Sequence, residues 1–450
     1  MSHVFPRHSK SHFPTAVAGD GCYLIDADGK RYFDGSGGAA VSCLGHSNER
    51  VKQAIRDQLE VLEFAHTGFF TSEPAEKLAD LLIANAPGDL DRVYFVSGGS
   101  EAVEAGIKLA RQYFVEKGEA QRRHLIARRQ SYHGNTLGAL AAGGNAWRQA
   151  QFAPLLIEVS HIAPCYEYAE RAETESPADY GQRAANELEA EILRLGPENV
   201  MAFLAEPVVG ATLGAVPAVE GYFTRIREIC DHYGVLLILD EVMCGMGRTG
   251  HLFACDAEGI APDIMTIAKG LGAGYQPIGA MMCSSDIYSA IQNGSGFFQH
   301  GHTYVGHPVA AAAALAVVQE LTEGEMMAQV QARGAYFERR LRDTFGQNAH
   351  IGDIRGRGLF WGVEIVADRA TKRPFAGKHG VAGRIKKAAM AEGLVCYPMP
   401  GTRDGKIGDH VLLAPPFIAT EDDLDGAVAM LDRAIGAVLA DTPADTPTDA

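Results

Sequence analysis

At 450 residues the chain is too long for one ordinary core, so two closely joined domains are expected. With 47% hydrophobic and 21% charged residues it has the composition of a soluble globular protein. The formal net charge of -16 argues against nucleic acid as a partner, because phosphate binding needs clustered lysine and arginine.

The eight cysteines are scattered and form no CxxC pair, so reduced thiols and no metal site are expected. The N-terminal stretch has no apolar h-region, and no apolar run approaches the length of a membrane span. The expectation is a cytoplasmic protein with no membrane partner.

The segment Cys22 to Asp34 predicts a small hairpin turning at Asp28-Gly29. From about residue 76, short apolar runs alternate with amphipathic stretches. The runs are 92–96, 124–127, 201–205, 235–239 and 264–268. Nearly continuous apolar strands suit a parallel sheet buried on both faces, with helical crossovers between them. Val103, Ile107, Ala110 and Phe114 repeat at helical spacing and give one helix an apolar face. Beyond Ala310 an alanine-rich helix begins. Two helical stretches and two β segments follow, at 359–365 and 410–413, as in a separate, smaller α+β domain. The Pro/Asp/Thr-rich end predicts a disordered tail.

Each of the five apolar runs ends in a polar or glycine-bearing cluster. These are Ser97-Gly98-Gly99-Ser100, Tyr132-His133-Gly134, Glu206-Pro207, Asp240-Glu241 and Lys269-Gly270. In open α/β sheets the ligand site lies outside the carboxyl ends of the strands, so five such clusters can converge on one cleft. Gly98 and Gly99 let backbone N–H groups approach an anion at a helix N-terminus, and Ser100 adds a hydroxyl. The same residues also fit a plain N-cap serine, and they nearly fit the hydrolase G-x-S-x-G, whose last glycine is Ala102 here. Gly245, Gly247 and Gly250 match G-x-G-x-x-G but follow no tight strand turn and open no helix, which excludes the dinucleotide fingerprint. Asp240 ends an apolar strand and needs a cationic partner, either a protonated ring nitrogen or an arginine such as Arg248. Lys269 ends another apolar strand; desolvated there, it can act as an amine nucleophile, or it simply reaches solvent.

Taken together, these motifs resemble the class III (subgroup II) aminotransferases of pyridoxal-5'-phosphate (PLP) fold type I, from about Asp20 to about Gly436. The resemblance implies a large domain with a mainly parallel seven-stranded sheet plus a smaller α+β domain. Residues 1–65 would contribute to the small domain, 66–315 would form the PLP-binding domain, 316–437 the C-terminal small domain and 438–450 the tail. FVSGGSEAVEAGIKLAR is similar to the family's phosphate segment, placing Ser97, Gly98, Gly99 and Ser100 on the cofactor. SYHG brings Tyr132, stacked on the ring, with His133 and Gly134. LDEVMCGMGRTG implies Asp240 on the pyridine nitrogen and Val242 on the opposite ring face, with Glu206 nearby. IAKGLGAGYQPIGA implies Lys269 as the Schiff-base lysine, and HGHTYVGHPVA implies that Thr303 reaches the phosphate of a neighbouring subunit. A homodimer with shared sites, possibly paired into a tetramer, is implied.

Within the family, MCGMGRTG is closer to the ω-amine:pyruvate type than to the ornithine and GABA type, which carries Gln where Met243 stands. Amine donor and keto-acid acceptor, with pyruvate as the acceptor, are the implied substrates. Arg403 stands where ω-transaminases carry a mobile carboxylate-binding arginine. Gly38-Ala39-Ala40 replaces their bulky tryptophan and widens the expected pocket at Ala40. A racemase, aminomutase or decarboxylase would share the same grip on the cofactor.

Overall fold

The computed structural model describes residues 3–403 and 405–443. Its centre is a seven-stranded sheet. The strands run in the spatial order Leu90–Val96, Gly279–Ser284, Ile264–Ile267, Leu236–Asp240, Val200–Ala205, His124–Arg128 and Ser160–Ile162. Gly279–Ser284 is antiparallel to both its neighbours, and the remaining pairings are parallel. All five apolar runs of the sequence are strands. The two others are a three-residue edge strand and the antiparallel strand.

Alternation along the central strands explains why they are apolar throughout. Leu237 and Leu239 join Phe203 in one core layer, while Leu236 and Ile238 join Ala202 and Leu204 in the other. The helix Gly99–Glu116 covers the second layer with Val103, Ile107, Ala110 and Phe114. Helices Pro177–Leu195 and Tyr222–Tyr233 cover the first. With both faces dry, polar groups are left to the strand ends.

The smaller domain holds an antiparallel sheet in the order Ile351–Arg357, Phe360–Ile365, Ile407–Leu413 and Tyr397–Arg403. Helices Met326–Phe345, Val381–Glu392 and Glu421–Ala440 accompany it. Two strands and one helix exceed the sequence expectation. Both unexpected strands are the sheet edges, and Tyr397–Arg403 contains Pro398, Pro400 and Gly401. Such breakers are tolerated at edges, where one side of the ladder is free. The expected hairpin forms as Tyr23–Asp26 and Arg31–Phe33, joined by Ala16–Asp20. Phe33 pairs with Leu394, which ties the N-terminal segment to the small domain. The helix Glu421–Ala440 runs past the expected boundary at 437, and the tail lies outside the described residues from 444 onward.

His410, fully buried on Ile407–Leu413, is the clearest titratable burden of this sheet. Burial, with Arg355 beside it, pushes its pKa down from 6.5 to about 3. Between those values the unfolded chain binds the proton and the folded chain does not, so stability falls as pH drops through that window. At pH 5 the loss from this group is about 2 kcal/mol. The urea midpoint of the wild type is expected to fall more steeply from pH 7 to pH 5 than that of His410→Gln; parallel slopes would contradict the assignment.

Candidate active site

The strand ends open on a cavity of about 440 Å³, and Ser97, Gly98, Gly99, Ser100, Tyr132, His133, Gly134, Glu206, Asp240, Val242 and Lys269 all line it. Five segments far apart in sequence thus meet because five strand ends meet. Along the sheet, Leu236–Asp240 sits between Ile264–Ile267 and Val200–Ala205, which brings Asp240, Lys269 and Glu206 close together.

Asp240 is the most constrained carboxylate. It is buried, and its Oδ2 lies 2.8 Å from His133 Nδ1. Its Oδ1 accepts the Val242 N–H at 3.0 Å. Arg248 does not pair with it: that guanidinium is buried elsewhere, donating to the Leu359 and Pro415 carbonyls at 3.0 and 2.5 Å. Glu206, also buried, accepts the Tyr132 N–H at 3.1 Å and the Gly210 N–H at 2.8 Å. Desolvation raises its pKa above the usual carboxylate range, with His133 opposing.

Lys269 follows the strand Ile264–Ile267 and has φ +48°. A non-glycine residue held in the left-handed region costs about 1–2 kcal/mol, so packing around it fixes this backbone. Lys269 lines the cavity. Desolvation lowers its pKa, while the charges of Asp240 and Glu206 hold it up. A lysine so placed carries a free amine at lower pH than a surface lysine does.

At the opposite end, Gly98 begins the helix Gly99–Glu116 with no side chain capping it. The first-turn N–H groups therefore stay available to an anion. Ser100 is not the cap: its hydroxyl donates to Asn135 Oδ1 at 2.9 Å and accepts the Asn135 N–H at 3.0 Å. It has no histidine partner of the kind a hydrolase serine needs. A Cβ on Gly99 would lie 2.6 Å from Val242 Cγ1, so only glycine lets the helix start so close to that residue.

The sequence did not single out Val41, Gly274, Gln276, Pro277 and Ile278, which complete the walls, and it used Met243 only to compare subtypes. Position offered a signal, since residues 274–278 form the loop between Lys269 and the strand Gly279–Ser284. Three expected residues are not in this cavity. Ala40 is buried in an apolar cluster with Met243, Phe360 and Leu412, and its neighbour Val41 takes the cavity wall. Arg403 ends the edge strand Tyr397–Arg403 with its guanidinium 5.9 Å from the Tyr166 ring. Thr303 is exposed on the loop before the helix Pro308–Thr322. No group of potential metal ligands occurs among the described residues.

The family model for class-III aminotransferases matches residues 4–435, and the chain belongs to that family. An uncharacterised aminotransferase of Schizosaccharomyces pombe is 45% identical over 96% of this chain and 94% of its own. A putrescine–pyruvate aminotransferase of Pseudomonas aeruginosa is 34% identical over 94% and 91%. Among solved structures, an (S)-enantioselective ω-transaminase from Thermomicrobium roseum superposes with a TM-score of 0.91 at 34% identity, covering 97% and 96% of the two chains. A Vibrio fluvialis aminotransferase in its pyridoxamine-phosphate-bound form gives 0.90 at 31% identity, covering 98% and 97%.

The protein is an aminotransferase that uses PLP. Its cavity suits that group. An amine at one end answers the aldehyde, a buried carboxylate answers a ring nitrogen, and an uncapped helix terminus answers the phosphate. Gly134 has φ +143°, and a Cβ there would meet Ser100 Oγ at 2.7 Å. Gly134→Ala is therefore expected to keep its fold but lose PLP on dialysis at least about tenfold faster, a barrier change of about 1.4 kcal/mol. Unchanged retention would contradict the role given to this contact.

Proposed function

We propose that the enzyme transfers the amino group of an amine or ω-amino acid to a keto acid, with pyruvate as the acceptor, by a ping-pong mechanism. The observation that carries this reading is that Lys269 and Asp240 line one cavity, together with an apolar patch of Val41, Met243 and Ile278. The apolar patch suits the carbon skeleton of an amine, and apart from Lys269 the lining has no lysine or arginine to demand a second carboxylate on the donor.

PLP, when bound, supplies an aldehyde that condenses with amines and a ring that draws electrons from the carbon bearing the amino group. The protein's part is local. Lys269 Nζ presents the free amine, and as a base it takes the proton from the donor carbon and returns it one position away. Desolvation lowers its pKa, which favours the free amine, against the charges of Asp240 and Glu206. Asp240, fixed by His133 and the Val242 N–H, would favour a proton on a pyridine nitrogen bound beside it. Tyr132 and Val242, both in the cavity lining, would flank the ring, and the first turn from Gly99 would hold the phosphate.

The acceptor's carboxylate is assigned to Arg403, and the cofactor phosphate of a second copy to Thr303. Arg403 lies 5.9 Å from the Tyr166 ring, outside the cavity lining, so on this assignment its side chain would swing toward the cavity when a keto acid arrives. Support comes from the named activity of the Pseudomonas relative and from the ω-transaminase neighbours. With a panel of amines and pyruvate, alanine should form one-for-one with the carbonyl product and give parallel double-reciprocal lines. Arg403→Ala should raise the KM for pyruvate at least about tenfold and that for an uncharged amine less than about twofold. Intersecting lines would end the ping-pong reading, and equal KM effects would end the Arg403 assignment.

A further inference from the structure

The cavity offers a phosphate dianion little fixed positive charge. Among the described residues lining it, Lys269 is the only lysine and there is no arginine, while His133 is already committed to Asp240. Anion binding there depends on aligned N–H and O–H donors at the start of the helix Gly99–Glu116. The direction of each hydroxyl therefore matters.

Ser97 is the first of these donors, and an element from outside the strand ends controls its hydroxyl. His302 Nε2 lies 2.9 Å from Ser97 Oγ. The same Nε2 lies 3.6 Å from Glu101 Oε2, and that oxygen accepts the Ser97 N–H at 2.8 Å. The tautomer with its proton on Nε2 places that proton between the serine oxygen and the carboxylate. With Nε2 protonated, the imidazole donates to Ser97 Oγ, and the serine's own O–H is free to point into the cavity. With Nε2 bare, the serine would donate to the imidazole and turn only lone pairs toward an anion.

The loop carrying His302 is fastened to the same helix and its neighbouring strand. The Tyr94 hydroxyl donates to the His300 carbonyl at 2.5 Å, and the Gln299 N–H to Gln112 Oε1 at 2.9 Å. His302 is thus held in place independently of its contact with Ser97.

We infer that His302 is a positioning residue for the cofactor phosphate: its Nε2–H, placed between Ser97 and Glu101, aims the Ser97 hydroxyl into the phosphate cup. This rests on the reading that residues 97–100 receive the phosphate. His302 acts through Ser97 and itself touches neither ring nor substrate.

The test is equilibrium binding of PLP, and of pyridoxal lacking the phosphate, to the apoenzyme, read by the absorbance of the bound cofactor. His302→Ala should raise the Kd for PLP about tenfold and leave that for pyridoxal within about twofold. His302→Gln, whose amide N–H can still donate to Ser97, should recover most of the PLP affinity. In a Ser97→Ala background, His302→Ala should add nothing further. Ser97→Ala alone is the control for the cup. If Ser97→Ala weakens PLP binding and His302→Ala does not, the inference fails and the cup stands. If neither weakens it, the cup reading itself fails. Equal loss of PLP and pyridoxal affinity in His302→Ala, or additive losses with Ser97→Ala, would show a general structural role and overturn the inference.

Discussion

The active site is organised around one buried carboxylate. Asp240 closes a strand whose residues are all buried, so its charge has no water to lean on. An unpaired carboxylate in such a place is costly, and the fold answers with two fixed contacts, His133 Nδ1 and the Val242 N–H. Those contacts set the geometry of the rest. His133 belongs to the loop carrying Tyr132 and Gly134, and Gly134 presses on Ser100 at the phosphate end. Val242 presses on Gly99 at the same end. Glu206 holds the Tyr132 backbone from a fourth strand end. Two carboxylates, their fixed contacts and two glycines thus link four of the five strand ends.

Lys269 works against this background. Burial favours the neutral amine, while Asp240 and Glu206 favour the charged one, and desolvation is the larger effect. The lysine sits in a backbone conformation that its residue type disfavours, so the strand and the glycine-rich turn after it must hold it there. A surface lysine needs neither device, which marks this position off from a side chain merely reaching solvent.

Much of this was legible from sequence because the parallel sheet writes two signals at once. Unbroken apolar runs mark strands buried on both faces, and the polar clusters that end them mark the cleft. What was not legible follows from the same physics. The edge strands of the small sheet escaped because Pro398, Pro400 and Gly401 are allowed only at an edge, and an edge cannot be inferred before the sheet is assembled. The Asp240–His133 contact joins residues 107 positions apart, so neither arginine nor ring nitrogen could be chosen over the other from spacing alone. Ala40 and Arg403 came from a resemblance to relatives rather than from local chemistry. The structure gives the cavity wall to Val41 and leaves Arg403 on Tyr166. The cavity lining contributed by strand ends was legible in the sequence; the residues on loops and a hairpin, Ala40, Arg403 and Thr303, lie outside that lining.

The central claim is that Lys269 is the residue joined to PLP. Borohydride reduction of the purified enzyme, followed by peptide mapping, tests it most directly. The account predicts a phosphopyridoxyl group on the peptide containing Lys269, with none elsewhere in stoichiometric amount. Stoichiometric labelling of a different lysine, or an enzyme that carries PLP yet fixes none of it on reduction, would contradict the account.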